Sequence, residues 1–380
     1  MRGDRPVIFS ALQVRPDNHQ EAPPSGTVKY RGSPQKQEPH MKLYCGIDLH
    51  SNNSYVVLLD ETDKIVYKKR LANDLETILR ELSPYREEIF GVVVESTYNW
   101  YWLGDGLKTA GYRVHLANTT AIQQYSGLKH TDDKDDAIWL AKMLRLGLLA
   151  EGYIYPKEVR GVRELLRRRI ILVRQQTMCL LGIQGMITRY ENVCLSGEKI
   201  KRLANDEEKI LCYLKDEHVR IATQSQLKIL RCIMEQIAIL EKSILTKIKH
   251  DPAFNLIKTI PGIGAILGMT ILLETGEIKR FEQAGNYSSY CRCVESKRIS
   301  NAKKKGENNR KNGNIYLGWA FIEASNAAIQ HYPEIKKYYQ RKLNKTMRVV
   351  ALKTIANKLS KATYFILRDG VQFDMKKLFG

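Results

Sequence analysis

The hydrophobic and polar positions of residues 41–152 predict a layer of strands with helices packed on it. Short apolar runs between polar turns indicate strands, and runs with a period of 3.6 residues indicate helices. The predicted strands are 43–48, 54–60, 64–70, 91–95 and 112–116, and the predicted helices are 75–85, 101–110, about 119–125 and 133–149. This order is βββαβαβα with one further helix, which is the order of the RNase H-like α/β fold with a mixed sheet.

The predicted topology brings two acidic residues to one edge of the sheet. In the RNase H-like fold the first and fourth strands lie side by side, and ligands gather at the carboxyl ends of such strands. Asp48 ends the first strand and Glu95 ends the fourth. Taken alone, each could be a residue of a turn or loop.

The acidic run 132–136 opens the last helix of this region. At about 100° per residue, Asp133 and Asp136 share a face with the apolar stripe, whereas Asp132 and Asp135 point to the opposite side. That stripe consists of Ala137, Leu140, Ala141, Leu144 and Leu148.

The run can be a metal site or a helix cap. Two carboxylates at i and i+3 repel each other unless a cation lies between them, and Mg²⁺ prefers such oxygen ligands. A cap of acidic residues, stabilised by the helix dipole, is the alternative. Because Asp48 and Glu95 converge on Asp133 and Asp136, we predict that these four residues bind Mg²⁺, as a pair of ions.

A long helical segment follows residue 156. Leu166, Val173, Leu180 and Ile187 recur every seven residues, and a second apolar seam runs over 227–248. The two seams predict either an antiparallel helical hairpin or a dimerising coiled coil. The run Arg167, Arg168, Arg169 is a solvated face or, as we favour in so basic a chain, a contact to phosphate.

Two later stretches suggest nucleic-acid contacts. Gly262 and Gly264 form a Gly-x-Gly turn before an apolar helix, as in a helix-hairpin-helix unit, and such a turn suits a phosphate. Residues 292–311 form a basic loop that contains Ser296 and Ser300. Its predicted nucleic-acid ligands are Lys297, Arg298, Lys303, Lys304, Lys305, Arg310 and Lys311.

The composition agrees with a polyanionic partner. The chain of 380 residues has 61 Lys and Arg against 41 Asp and Glu, a net charge of +20 and a pI near 9.5, which points to nucleic acid. We expect a cytoplasmic, nucleoid-associated bacterial protein that does not use a membrane, since no apolar run predicts a membrane span or a signal peptide. Seven cysteines without CxxC spacing predict reduced, structural thiols.

Together, several motifs resemble one family. They are Gly46-Ile47-Asp48, Glu95-Ser96-Thr97, Asp133-x-x-Asp136-Ala137 and Ile260-Pro261-Gly262-Ile263-Gly264 with the basic stretch after it. They resemble the DEDD transposases of the insertion sequence 110 family, and most closely its insertion sequence 1111 branch.

The resemblance implies a division into domains. It implies a RuvC-like DEDD domain over 41–152, a helical and coiled-coil region for RNA binding or dimerisation over 153–250, and a mostly α C-terminal transposase domain over 251–345. Residues 1–40 are expected to be a disordered leader, with Met41 as the native start, and 346–380 a helical tail.

The family also implies the chemistry and the partners. Members cut and rejoin donor and target DNA with a nucleophilic serine beside the metal site, guided by a structured RNA that the element encodes. They act as dimers or tetramers in which the serine of one subunit completes the metal site of another. Where the family has Ser-Gly this chain has Ser300-Asn301, and Glu295 replaces a proline. We predict Ser300 as the nucleophile, with Ser296 in reserve.

Three other functions remain open at the level of sequence. A site-specific DNA invertase of the pilin-inverting type shares these motifs. A junction-resolving nuclease would use water and need no serine. A non-catalytic nucleic-acid-binding protein would tolerate loss of the carboxylates, but a basic protein gains nothing electrostatically from an inward acidic cluster.

Overall fold

A computed structural model of the chain describes residues 41–118, 120, 133–247, 251–296, 298–306 and 312–380. The side chains of Asp133, Lys134, Arg298, Ile299 and Lys304 lie outside this description. The predicted leader 1–40, most of the predicted helix 119–125 and the predicted nucleic-acid ligands Lys297, Arg310 and Lys311 also lie outside the described residues.

Five strands form the predicted mixed sheet. They are β1 (Leu43–Leu49), β2 (Asn53–Leu59), β3 (Ile65–Ala72), β4 (Ile89–Glu95) and β5 (Val114–Ala117), in the order β3-β2-β1-β4-β5. The first three pair antiparallel as a meander, whereas β4 runs parallel to β1 and β5 runs parallel to β4. This is the RNase H-like arrangement that the sequence predicts. Strand β1 is buried along its whole length because both faces of the sheet are covered.

Each face of the sheet carries its own apolar core. Helices α1 (Leu75–Leu82) and α2 (Tyr101–Thr109) cover one face, and a short 3₁₀ turn (Ser83–Tyr85) follows α1. Helix α3 (Asp133–Arg145) covers the opposite face. Four of the five predicted stripe residues of α3 are buried, but Leu148 is 63% exposed because the helix ends at Arg145. The prediction that the helix continues to residue 149 is wrong.

Helix α3 packs unusually close to β1 at one glycine. A Cβ on Gly46 would overlap the carbonyl oxygen of Ala137 and would lie 2.8 Å from the backbone nitrogen of Ala141. Only a hydrogen at position 46 allows the backbone of the helix to reach the strand. The glycine two residues before Asp48 therefore sets the position of the helix that carries the acidic run.

The two helical seams form a hairpin within the chain. Helix α4 (Lys157–Glu191) is joined to α7 (Glu217–Lys247) through the short helices α5 (Gly197–Leu203) and α6 (Glu208–Leu211). The pairs Arg169–Glu241 and Met186–Thr223 show that α4 and α7 run antiparallel. The hairpin alternative is confirmed.

Helix α4 alone among the helices of the described ranges is long and apolar enough to cross a membrane by length and composition. This is weak evidence for a span, since the long core helices of globular proteins pass the same test. Here α4 packs against α7, and its first turns carry paired arginines, Arg160 and Arg163.

The remaining residues form a second, mostly helical core. Its elements are α8 (Pro252–Ile257), α9 (Ala265–Thr275), a 3₁₀ turn (Ile278–Arg280), α10 (Ala284–Tyr290), the hairpin β6 (Arg298–Ser300) and β7 (Lys303–Gly306), α11 (Ile315–His331), α12 (Pro333–Leu343), α13 (Arg348–Asp369) and α14 (Met375–Phe379). Ile355, Leu359 and Phe379 pack into one cluster with Tyr287 and Phe321. Residues 346–380, predicted as a helical tail, form α13 and α14 and contribute side chains to this core.

A buried carboxylate joins α4 to the C-terminal core. Glu274 is 1% exposed and accepts hydrogen bonds from Arg163 (2.9 Å), Arg167 (2.7 Å) and Asn314 (2.8 Å). Burial alone would raise the pKa of Glu274, but the hydrogen bond from Arg167 and the charge of Arg163 hold it below its usual value. The hydroxyl of Tyr155 donates to the main-chain oxygen of Glu274 at 2.6 Å. Removing one partner of such a cluster would leave a buried charge uncompensated.

The cysteines divide into two groups. All seven are free thiols, as predicted. Four are buried in apolar cores and three, Cys194, Cys212 and Cys232, are exposed. That all seven are structural stays a prediction for the three exposed thiols.

We expect Gly46→Ala to destabilise the protein. The added methyl group has no room between β1 and α3, and overpacking of this kind costs about 1–3 kcal/mol. The measurement is the free energy of unfolding in urea. Gly161→Ala is the control, because Gly161 lies on the exposed side of α4 with open space around it. That change should stabilise the helix by about 0.5–1 kcal/mol. Equal stability of Gly46→Ala and the wild type would contradict the close approach.

Candidate active site

Two predicted carboxylates meet at the carboxyl edge of the sheet. Strands β1 and β4 pair in parallel with Ile47 opposite Val94, so Asp48 and Glu95 follow next to each other. Asp48 is 2% exposed, Glu95 is half-buried, and the two carboxyl groups share a hydrogen bond. A hydrogen bond between two carboxyl groups requires a proton on one of them.

Helix α3 brings a third carboxylate to this pair. Asp136 is half-buried and lies near enough to Asp48 for the two charges to interact, whereas Asp135 is exposed. The predicted orientation of these two residues is confirmed. The side chain of Asp133 and the whole of Asp132 lie outside the described residues. The metal-binding function of all four predicted ligands stays a prediction.

Crowding of negative charge changes the acidity of this group. Burial, the hydrogen bond to Asp48 and the charges of Asp48 and Asp136 raise the pKa of Glu95 to about 8. Burial and the charge of Asp48 also raise the pKa of Asp136. Near neutral pH, Glu95 therefore holds a proton that it donates to Asp48. The crowding of negative charge that raises the pKa of Glu95 and of Asp136 would be relieved by a positive charge among the carboxylates.

The residues fit a hard divalent cation by their chemistry. All the donors are carboxylate oxygens, the ligand type that Mg²⁺ prefers. Oδ1 of Asp136 is buried and has no hydrogen-bond partner among the described residues. Within that same part of the chain, no three His, Cys, Asp or Glu side chains already stand in a geometry that would hold an ion. The hydrogen bond between Glu95 and Asp48 occupies oxygens that a cation would require.

His50 belongs to this site and was not predicted from the sequence. Its Nε2 atom lies 3.0 Å from Oδ2 of Asp48. The main-chain oxygen of His50 accepts hydrogen bonds from the side chains of Asn73 (2.9 Å) and Asn99 (3.0 Å). These amides fix the turn after β1, where the imidazole lies beside the carboxylates. A titratable residue two positions after the strand-end aspartate was the signal available in the sequence.

The predicted nucleophile lies at the tip of a short hairpin. Ser300 is exposed and pairs with Lys303 across a two-residue turn, where the sequence predicted an irregular loop. Among the described residues, no hydrogen bond links Ser300 to the carboxylates. The reserve candidate Ser296 is half-buried in the segment before the hairpin. The structure brings together Asp48, Glu95 and Asp136.

Comparison with known proteins places both halves of the chain in one family. A model of DEDD transposases of the IS110 type matches residues 45–191, and a model described as "Transposase IS116/IS110/IS902 family" matches residues 254–340. The chain belongs to the IS110 family of transposases. The family is one of DNA-recombining enzymes, so the non-catalytic alternative is not supported.

Individual relatives agree with this assignment. The transposase for insertion sequence element IS1111A of Coxiella burnetii is 22% identical over 300 residues, 75% of this chain and 78% of that protein. A probable family 20 transposase of Pseudomonas aeruginosa is 20% identical over 301 residues, 75% and 83% of the two chains. An uncharacterized 43.6 kDa protein of insertion element IS110 from Streptomyces coelicolor is 25% identical over 149 residues, 39% of this chain and 36% of that protein.

The hairpin explains how this IS110-family chain departs from the Ser-Gly pattern. Asn301 and Ala302 have φ values of 53° and 58°, as in a type I′ turn. Glycine and asparagine are the residues that adopt this left-handed conformation most readily. Asn301 therefore preserves the turn beside Ser300 that a glycine would form. No comparable explanation is available for Glu295 in place of proline.

The arginine run of α4 is mostly engaged within the fold. Arg167 binds Glu274, and Arg169 binds Glu241 at 2.6 Å. Arg168 is the most exposed of the three and pairs with Glu164 on its own helix. These contacts give Arg167 and Arg169 structural functions that the sequence did not reveal. Contact of the run with phosphate stays a prediction, for which Arg168 is the most accessible residue.

The two glycines of the Gly-x-Gly turn differ in their surroundings. A Cβ on Gly262 would overlap the carbonyl oxygen of Ala324, so this glycine allows the turn to pack on α11. Gly264 is exposed at the N-terminus of α9 with open space around it. Of the predicted phosphate contacts at this turn, Gly264 is the accessible one. In the β6–β7 hairpin, Lys303 and Lys305 are exposed.

We expect the stability of the metal-free protein to fall as pH rises between about 4.5 and 8. In this range Glu95 keeps its proton in the folded protein, with a pKa of about 8, and loses it in the unfolded chain. The folded state binds more protons there, so the free energy of unfolding decreases with pH. The melting temperature in EDTA should show this slope, and Glu95→Gln should reduce it. The control Glu87→Gln, on the exposed surface, should keep the wild-type slope. A Glu95→Gln variant with an unchanged slope would contradict the assignment.

Proposed function

We propose that this insertion-sequence transposase cuts and rejoins DNA strands through Ser300, with Mg²⁺ held by Asp48, Glu95, Asp133 and Asp136. The observation that carries the proposal is the convergence of Asp48, Glu95 and Asp136 at the carboxyl edge of the sheet. These residues come from three separate segments. The close packing of α3 on β1 holds them in one place.

The carboxylates would bind two Mg²⁺ ions. Bound Mg²⁺ polarises a phosphodiester and neutralises the charge that develops on its oxygens. Three carboxylate side chains would contribute to such binding. Asp48 is buried and held beside His50, and Oδ1 of Asp136 is buried without a hydrogen-bond partner among the described residues. Glu95 would lose its proton when a cation binds, because the positive charge favours its ionised form.

The serine supplies the nucleophile. In the proposed step, a bond forms between Oγ of Ser300 and phosphorus as the bond from phosphorus to a deoxyribose oxygen breaks. The serine proton ends on the oxygen that leaves. The product is a phosphoserine ester, and attack by another DNA hydroxyl on this ester restores the serine. One ester replaces another at each step, so rejoining needs no ATP.

A second copy of the chain would bring the serine to the carboxylates. Ser300 is exposed at a hairpin tip, and no hydrogen bond among the described residues joins it to Asp48, Glu95 or Asp136. A composite site, shared between the subunits of a dimer or tetramer, would explain both the exposure of Ser300 and the lack of such a hydrogen bond. The exposed Lys303 and Lys305 on the same hairpin would hold the DNA backbone near the serine.

The choice of target would be delegated to an RNA encoded by the element. This part of the proposal rests on the resemblance to the family and on the net charge of +20. A protein that reads sequence through a paired RNA needs phosphate contacts more than contacts to base edges.

Ser300→Ala should abolish covalent complexes between protein and DNA while RNA binding survives. The alanine lacks the oxygen that bonds to phosphorus, and the exposed hairpin tolerates its loss. The measurement is the yield of labelled DNA that migrates with the protein in a denaturing gel. Ser296→Ala serves as the matched control and should form complexes normally.

Two outcomes would reject this assignment. Complexes at normal yield with Ser300→Ala would exclude Ser300 as the nucleophile. Cleaved DNA without any covalent complex in the wild type would indicate attack by water, as in a junction-resolving nuclease.

A further inference from the structure

A long stretch of the C-terminal core contains no acidic residue. Between Glu334 and Asp369 there is neither Asp nor Glu, but there are ten basic residues. They are Lys336, Lys337, Arg341, Lys342, Lys345, Arg348, Lys353, Lys358, Lys361 and Arg368. All lie in the described part of the chain, and there Arg368 alone forms an ion pair, with Asp369. The stretch covers most of α12 and α13.

Several of these cations gather around one aromatic ring. The charged groups of Arg341, Lys342 and Lys358 lie 5.4, 5.7 and 4.9 Å from the ring centroid of Tyr338. Lys361 follows Lys358 by one turn of α13 and lies close enough to affect its charge. We call Arg341, Lys342, Lys358 and Lys361 the C-terminal cationic cluster. Arg341 and Lys361 are exposed, and the other two are half-buried.

The positive charges of the cluster are only partly compensated within the fold. Three of these charges surround the ring and the fourth, Lys361, lies near Lys358. They repel each other, and the face of a tyrosine offsets only part of that repulsion. Burial and the charges of Lys342 and Lys361 lower the pKa of Lys358. Besides its contact with the ring, Lys358 donates to the main-chain oxygen of Leu378 at 2.6 Å and packs on Phe379. Arg341, Lys342 and Lys361 have no ion pair with a carboxylate among the described residues, and Arg341 and Lys361 are exposed.

We infer that the C-terminal cationic cluster binds the phosphate backbone of duplex DNA. A polyanion would turn the repulsion within the cluster into attraction, and released counterions would favour the complex. Duplex DNA is the polyanion that a transposase acts on, so the inference rests on the family assignment and not on the serine chemistry. The residues lie at 341–361, after the matched region 254–340, and are not among the contacts predicted from the sequence.

The inference makes a quantitative prediction for the full-length protein. Replacing Arg341, Lys342 and Lys361 by Gln removes three positive charges and leaves Lys358 in its structural contact. The slope of log K against log salt concentration should fall by about 2 to 3, and binding should weaken by about tenfold or more near 0.1 M salt. Binding of a labelled duplex is measured by fluorescence anisotropy in EDTA, where no strand is cleaved.

A matched control variant removes the same charge elsewhere. Lys64, Lys68 and Lys108 are exposed on the RNase H-like domain, and their replacement by Gln should leave the salt slope nearly unchanged. The cluster variant should melt at the wild-type temperature or slightly above it, because a repulsion is lost. If the triple variant melts at a lower temperature than the wild type, the single variant Lys361→Gln is used in its place. It should lower the slope of log K against log salt concentration by about 1.

Two results would overturn the inference. One is a cluster variant whose affinity and salt slope for duplex DNA equal those of the control variant. The other is a loss of binding confined to a structured RNA probe, with duplex binding intact. Because binding is measured without cleavage, either result leaves the proposed function of Ser300 standing. If the cluster variant loses duplex binding as expected but the wild type forms no covalent adduct with DNA, only the proposed serine chemistry is overturned.

Discussion

The packing of α3 against β1 at Gly46 is the constraint on which the candidate active site depends. A side chain larger than hydrogen at this position would strike the backbone of the helix at Ala137. The same contact fixes the rotation of α3, so that Asp136 faces Asp48 while Asp135 faces solvent. The close approach of the two backbones therefore brings the carboxylates together. The apolar packing of Ala137, Leu140 and Ala141 offsets the electrostatic repulsion between them.

A second constraint connects this domain to the rest of the chain. Glu274 accepts hydrogen bonds from Arg163 and Arg167 of α4 and from Asn314 at the N-terminus of α11. Asn314 also caps α11, directly after the segment that carries the β6–β7 hairpin. At the start of α4, Arg160 binds Asp105 of the RNase H-like domain at 2.7 Å. One short stretch of α4 therefore touches both the domain with the carboxylates and the domain with Ser300. Such a buried network is rigid only while every member is paired.

The sequence predicts the features that depend on periodicity and chain order. The five strands, the sheet topology, the inward face of Asp136 and the two long helices follow from local patterns that tertiary packing reinforces. Contacts between distant residues could not be predicted. The partners of Arg167 and Arg169 lie 107 and 72 residues away, and the place of α13 in the core depends on contacts with α10 and α11.

Local backbone geometry was not predicted from the sequence at two places. The end of α3 at Arg145 left Leu148 exposed although it fits the helical stripe. The helix ends because Gly147 adopts a left-handed conformation with a φ of 67°, and the amides of Gly147 and Leu148 donate back to Leu144 and Met143. Near Ser300, the turn depends on the left-handed backbone of Asn301 and Ala302, which a predicted loop does not specify. His50 was missed because a single histidine in a turn has no periodicity.

The proposed metal ligands are the inward carboxylates and not the whole acidic run. Titration of the full-length protein with Mn²⁺, followed through the electron paramagnetic resonance signal of the free ion, distinguishes the two. Asp136→Asn should weaken Mn²⁺ binding by about tenfold or more, since a charged ligand is lost. Asp135→Asn, one residue earlier and exposed, should bind Mn²⁺ like the wild type. Weaker binding in Asp135→Asn together with normal binding in Asp136→Asn would exclude Asp136 as a ligand.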